Sequence, residues 1–236
     1  MQETASREKI LRNVRKALIH KSTDTSLHSE IDFNKGIYAY SDPDRSEMDI
    51  TFARQFTEVS GKFVFCENEN EFIDNLKRLV NETKWENLFC LENYIKELLN
   101  KGEISYSDDA GLPESQKSDP EISASAPEQA DKIIAGITFC EFLIARTGSI
   151  LISSKQTSGR RLAVFPDVHI VLAYTSQLVQ DVKDALQGIR DKYGDQLPSM
   201  ITTITGPSRT ADIEKTLIIG AHGPKEVCVF LVDDNK

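Results

Sequence analysis

The chain is poor in the residues that mark several function classes. Its 236 residues include four cysteines and four histidines. None of Cys66, Cys90, Cys140 and Cys228 forms a C-x-x-C pair, and no second histidine or cysteine stands at metal-ligand spacing from His222. A zinc or iron–sulfur site within this chain is not expected, and the sequence names no cofactor of any kind. Cys66, Cys90 and Cys228 sit within or at the end of apolar strand-like runs, so the thiols are expected buried and reduced, a usage that suits a reducing cytoplasm.

Basic residues are also scarce. Lysine and arginine total 28 against 37 acidic residues, a net charge of -9. That argues against broad nucleic-acid binding, which needs a basic face, while leaving room for a local basic pocket. No apolar run approaches the roughly 18 residues of a membrane span. Met1-Gln2-Glu3-Thr4 leads into a charged amphipathic segment without an apolar h-region, so neither a signal peptide nor a span is expected, and the expected compartment is the cytoplasm. There is no internal repeat, no low-complexity tract, no G-x-G-x-x-G and no P-loop, so no motif indicates nucleotide binding. Ser149 and Ser208 lack the nucleophile-elbow pattern of a hydrolase.

What is present is a globular composition, 39% hydrophobic and 28% charged, enough for one large domain or two small ones. Ile10, Leu11, Val14, Ala17 and Leu18 line one helical face, capped by Thr4 or Ser6. A polar connector follows, from Lys21 to about Asp44. Phe52, Phe56 and Val59 mark a second helix ended by Gly61. A βαβα pattern comes next: strand Lys62 to Cys66, a helix through Phe72, Ile73, Leu76, Leu79 and Val80, strand Asn87 to Leu91, then a short helix through Tyr94, Ile95, Leu98 and Leu99. Such alternation predicts a parallel sheet with helices packed on it. Asp108 to about Gln129, with Pro113, Pro120 and Pro127, reads as a long exposed loop. Ile137 to Ala145 and Ile150 to Ile152, around Thr147-Gly148, suggest a hairpin or tight kink. Val168 to Tyr174 reads as a buried strand, Leu178 to Ile189 as a helix, Met200 to Ile204 as a buried strand, and Glu226 to Val232 as a last strand inside the sheet. The expected organisation is an N-terminal helical extension over 1–60 and an α/β domain over 61–236.

Candidate site residues concentrate after the Met200 to Ile204 run, and polar residues past a strand end are how α/β proteins build ligand sites. In Gly206-Pro207-Ser208-Arg209-Thr210-Ala211-Asp212-Ile213-Glu214, Ser208 and Thr210 suit helix N-caps, and Asp212 and Glu214 would occupy a first turn. The same string has a second reading: Gly206 and Pro207 shape the backbone while free amides and Arg209 hold a phosphate, carboxylate or other anion. His222, within Gly220-Ala221-His222-Gly223-Pro224, is sterically open and suits a general base or a ligand, although a lone histidine is more often structural. His169 lies inside an apolar strand as a core or supporting residue, and His20 and His28 look peripheral. Thr147, Gly148 and Ser149 form either a plain turn or a contact for a ligand. Gly159-Arg160-Arg161 is an anion contact or a solvated helix start.

These residues carry a resemblance. Gly206 to Glu214, then Gly220 and His222-Gly223-Pro224, with Pro166-x-x-His169-Ile170-Val171 and Thr147-Gly148-Ser149, resemble the lactate utilization protein C family, also called the LUD domain, over roughly 130 to 234. The resemblance implies a mainly parallel α/β fold similar to the superfamily of ribose-phosphate isomerases, glucosamine-phosphate deaminases and CoA transferases. It implies membership of a set of three bacterial proteins that oxidise L-lactate to pyruvate, the partners carrying the iron–sulfur cysteines. The family commonly has an acidic residue just before Thr-Gly; Arg146 stands here, placing a positive charge beside the expected pocket and favouring an anionic ligand. Three functions compete: a subunit of a lactate-oxidising iron–sulfur complex, a stand-alone enzyme acting on a phosphorylated or CoA-linked molecule with His222 or Glu214 moving the proton and Arg209 holding the anion, and an anion-binding module without chemistry.

Overall fold

The computed structural model describes residues 47–83, 85, 87–108, 134–158, 161–211, 217–220 and 222–234. All belong to one of the two units into which the chain divides, Pro43–Lys236. The helix expected over residues 10–18, the connector after it and the loop over 109–129 lie outside the described residues.

The elements run α1 (Met48–Glu58), β1 (Lys62–Cys66), α2 (Glu69–Thr83), β2 (Asn87–Cys90), α3 (Asn93–Lys101), β3 (Ile134–Phe139), β4 (Phe142–Ile144), a 3-10 turn (Ala145–Thr147), β5 (Ser149–Ser153), β6 (Val168–Tyr174), a second 3-10 turn (Thr175–Gln177), β7 (Leu178–Val179), α4 (Val182–Tyr193), β8 (Ile201–Ile204), β9 (Arg209–Ala211), β10 (Leu217–Ile219) and β11 (Glu226–Val232). Five strands form a wholly parallel sheet in the order β1-β11-β6-β3-β2. The inner strands β6 and β11 are buried over nearly their whole length, which is why Val168 to Tyr174 and Glu226 to Val232 read as continuous apolar runs.

Each face of this sheet has its own core. On one side Phe72, Ile73 and Leu76 of α2 and Ile95, Leu98 and Leu99 of α3 pack on Ile137, Ile170, Leu172 and Phe230. On the other side a second sheet, ordered β7-β4-β5-β8, presents Leu143, Ile150 and Ile152 to Val171, Ala173, Val229 and Leu231. Phe52 and Phe56 of α1, one helical turn apart with ring centroids at 5.4 Å, are fully buried in this same core. The outer face of the second sheet, Ile144 and Leu151, is covered by Ala185 and Ile189 of α4.

Helix starts are set by side chains. Asn68 Oδ1 accepts the backbone N–H groups of Asn70 and Glu71 at 3.0 and 3.1 Å, while Glu71 reaches back to the N–H of Glu67 at 2.7 Å. Asp181 and Asp184 make the equivalent reciprocal pair at the start of α4.

Four expectations change. The apolar run Ile137 to Ala145 is two strands in different sheets, because the chain crosses between layers at Cys140-Glu141. Leu178 and Val179 pair with β4 as a strand, so the helix begins only at Val182, after its Asp181 cap. Met200 to Ile204 is not a buried strand: Ile201–Ile204 alternates between exposed and half-buried positions at the rim of the second sheet, where only β5 pairs with it. The expected helix start after Gly206 is an antiparallel hairpin, Arg209↔Ile219 and Thr210↔Ile218, since β9 satisfies its backbone groups on β10.

Candidate functional site

The two loops singled out by the sequence do meet. Ser208 donates its backbone N–H to the Pro224 carbonyl at 2.9 Å, and the Ser208 carbonyl accepts the Gly220 N–H at 3.0 Å. His222 is exposed, Gly223 is half-buried, and Thr210 is carried by β9. Asp212 and Glu214 lie outside the described residues. So do Gly159 and Arg160, while Arg161 is exposed.

Arg209 is turned toward the end of α1. Its Nη2 donates to the Val59 carbonyl at 3.0 Å and to the Ser60 hydroxyl. A guanidinium on the last carbonyls of a helix meets the negative end of the helix dipole. Gly206, at φ +82, presses on the same place: a Cβ there would stand 2.4 Å from the Val59 carbonyl oxygen. Gly148, at φ +58, lies one turn earlier, where a Cβ would stand 2.4 Å from the Phe56 nitrogen. Thr147, Ser149 and Thr205 join their hydroxyls in a chain, 2.7 Å from Thr147 to Ser149 and 2.8 Å from Ser149 to Thr205. Gly148, Gly206 and Arg209 thus close on the carboxyl end of α1, with the 3-10 turn of Thr147 packed on the same helix.

Arg146 does not supply a free positive charge. Its guanidinium forms two 2.8 Å hydrogen bonds to the two oxygens of Asp181. That bond holds the Asp181 carboxyl below its ordinary range. The preference for an anion drawn from Arg146 is therefore corrected: the charge is spent fastening the first 3-10 turn to the cap of α4.

A different polar cluster lies where parallel α/β sheets hold ligands, outside the carboxyl ends of the strands. Here the connections also change faces: α2 and α3 lead between strands on one side, and the chain leaving β3 enters the second sheet on the other. A cleft of about 400 Å³ is lined by Glu92, Glu141, Lys155, Tyr174, Lys192 and Tyr193, among others. Glu141 is buried although charged, 3% exposed, because three donors converge on it. Ser153 Oγ donates at 2.6 Å and Tyr193 OH at 2.8 Å to Oε1, and Lys192 Nζ donates at 2.7 Å to Oε2. Burial alone would raise its pKa; the hydrogen bonds from Lys192, Ser153 and Tyr193, with the lysine charge, outweigh that and hold the carboxyl below its ordinary value. Gln177 ties the floor together, donating to the Cys140 carbonyl at 2.6 Å and accepting the Tyr174 N–H at 2.8 Å. Glu92, also buried, accepts the Ser158 N–H at 3.2 Å.

The aromatic wall of this cleft continues along the sheet edge. The Phe139 ring lies 6.3 Å from Tyr94 and 6.4 Å from Tyr174. Both tyrosine hydroxyls donate to Glu69 Oε1, at 2.6 and 2.8 Å. Sequence reasoning missed this region because its members come from six separate segments. The available signal was Glu141 itself, a carboxylate set inside the apolar run Ile134 to Ile152.

All four cysteines are free and buried, as expected. Burial pushes the Cys66 and Cys90 thiols up to about 11 and Cys228 to about 12, and raises Cys140 as well. His169 is fully buried in β6, with Nε2 2.9 Å from Thr138 Oγ1 and Nδ1 without a partner among the described residues. Among the described residues no group of three or more His, Cys, Asp or Glu could hold a metal ion, and no helix is long and apolar enough to cross a membrane.

Comparison with known proteins agrees with the resemblance. The lactate utilization protein C of Shouchella clausii is 39% identical over 108 residues, covering 45% of this chain and 47% of that protein. The protein of the same name from Bacillus velezensis is 36% identical over 120 residues, 49% of each chain, and that from Bacillus subtilis 36% identical over 109 residues, 45% of each. The chain spans about half the length of the curated relatives it matches. A crystal structure of a DUF162 family protein from Deinococcus radiodurans covers 80% of this chain and 98% of its own, with a TM-score of 0.52 and 17% identity, a likeness of fold. The LUD domain family matches residues 51–232, most of the chain and all eleven strands among the described residues, and this chain belongs to that family.

Proposed function

We propose that the chain serves lactate utilization as one subunit of a bacterial assembly that oxidises L-lactate to pyruvate in the cytoplasm, its iron–sulfur clusters carried by partner proteins. The observation that carries this reading is family membership together with identities of 32–39% to proteins named lactate utilization protein C. The wide spacing of the four cysteines, none in a C-x-x-C pair, supports it, since a cluster needs grouped thiolates. The exposed rim formed by Arg209 and His222 is the surface offered to the partners. The test is purification of the tagged chain at native abundance from its source cell, with iron and acid-labile sulfide measured in the eluate. Brown, iron-containing partners support the subunit role; a chain that elutes alone and colourless counts against it.

The polar cleft at the carboxyl edge of the sheet favours a second reading, a stand-alone enzyme on an anionic small molecule such as a phosphorylated or CoA-linked substrate. That reading requires turnover by the purified chain without partners.

A further inference from the structure

At the cleft by the carboxyl ends of β2, β3 and β6 the Glu141 carboxylate, one oxygen of Glu92 and the Cys140 carbonyl are engaged, while several donors are spare. Both oxygens of Glu141 are taken by Ser153, Tyr193 and Lys192, one oxygen of Glu92 by the Ser158 N–H, and the Cys140 carbonyl by Gln177. The donors are not matched in this way. Lys155 is exposed, and its ammonium has no hydrogen-bond or ion-pair partner among the described residues. Lys192 carries three N–H groups, spends one on Glu141 and lies 5.3 Å from the centre of the Tyr193 ring, so these neighbours fix the ammonium in place and leave at least one proton to give. Gln156 uses its Oε1 to accept the Ser153 N–H at 2.9 Å, while its Nε2 is buried without a partner among the described residues. A buried donor left unpaired is costly and rare in native proteins, so a missing acceptor is the natural complement.

Charge and shape narrow that acceptor. A partner that only accepts, and that meets two ammonium groups, is an oxyanion. Part of the lining is aromatic, the ring centres of Phe139 and Tyr174 lying 6.4 Å apart. A volume of about 400 Å³ falls within the range of small-molecule sites. We propose that this cleft binds a small organic oxyanion, a carboxylate or a phosphate ester, with its head group held by Lys155, Gln156 and Lys192 and its body against Phe139 and Tyr174. The assignment comes from the unmatched donors of the cleft; it deepens the second reading above by naming the groups that hold the anion, and binding without turnover would leave it standing while that reading fails.

Calorimetric titration of the full chain with two acid–neutral pairs tests it: L-lactate against lactamide, and glycerol phosphate against glycerol. At least one acid should bind at millimolar concentration while its neutral counterpart does not, and the acid that binds distinguishes a carboxylate site from a phosphate site. Lys155→Met should weaken that binding at least about tenfold, the loss expected for one charge-assisted hydrogen bond. Gln156→Glu keeps the acceptor for Ser153 but replaces the donor with a like charge, and should abolish binding. Lys183→Met removes the same charge from an exposed position on α4 that does not line the cleft, and should leave affinity unchanged. The proposal is overturned if neither acid binds, if the neutral compounds bind as well as the acids, or if Lys155→Met and Gln156→Glu bind like the wild type.

Discussion

A buried imidazole sets an acid limit on this fold. His169 has no exposed surface, and burial lowers its pKa from 6.5 to about 4. The native state therefore resists the proton that the unfolded chain accepts, and stability is full above about 6.5 and falls as the pH drops toward about 4. The integrated loss is about 3 kcal/mol. Thermal melts across that window should show a fall in the wild type that is clearly smaller in His169→Gln; parallel pH profiles would show that His169 is not the group responsible. Glu141 acts in the same direction at lower pH. Its carboxyl is held below the ordinary value of 4.5, so its contribution is present above that value and disappears as the pH falls through the lowered one. Replacing it by Gln removes the charge from three hydrogen bonds and should cost about 2 kcal/mol, a figure kept modest because Lys192 is 56% exposed and water takes up part of its charge. Chemical denaturation at neutral pH measures this directly.

At the scale of elements, three of the residues that carry the family resemblance, Gly148, Gly206 and Arg209, do a structural job: they close around the carboxyl end of α1. Gly206→Ala would force a side chain into a left-handed backbone and against the Val59 carbonyl, and should destabilise by about 2 kcal/mol or more. Arg209→Ala removes the cation from the helix end and should cost about 1 kcal/mol. Hydrogen exchange should report both losses first in α1; protection that stays unchanged there would remove the clamp from the account. Most elements could be read from the sequence because their periodicity matched their burial: Phe72, Ile73 and Leu76 for α2, Val168 to Tyr174 for β6. The failures have physical causes. Ser208 and Thr210 cap a helix only if the chain has no better use for its backbone bonds, and pairing with β10 supplies one. Leu178 and Val179 fit the helical stripe that follows, but Asp181 starts the helix later and frees them to extend the second sheet.

At the scale of the whole molecule, two sheets share a core and the crossing between them creates the cleft. The parallel sheet was legible from alternating strands and helices. The second sheet was not, because its members are two to five residues long and pair across distant segments. The loops expected to form the site do meet, through Ser208, Gly220 and Pro224, yet Arg209 spends hydrogen bonds on α1. The cluster around Glu141 stayed hidden because Glu92, Lys155, Tyr174 and Lys192 come together only through the topology. If the exposed Arg209 and His222 rim is the partner-facing surface, His222→Ala should reduce the partner recovered in purification without shifting the melting temperature.

A role in lactate utilization is tested most directly by L-lactate-dependent pyruvate formation in extracts of source cells lacking this chain. Activity should be lost and should return when the purified full chain is added together with its partners. Pyruvate formation that continues at the wild-type rate without the chain would contradict that role.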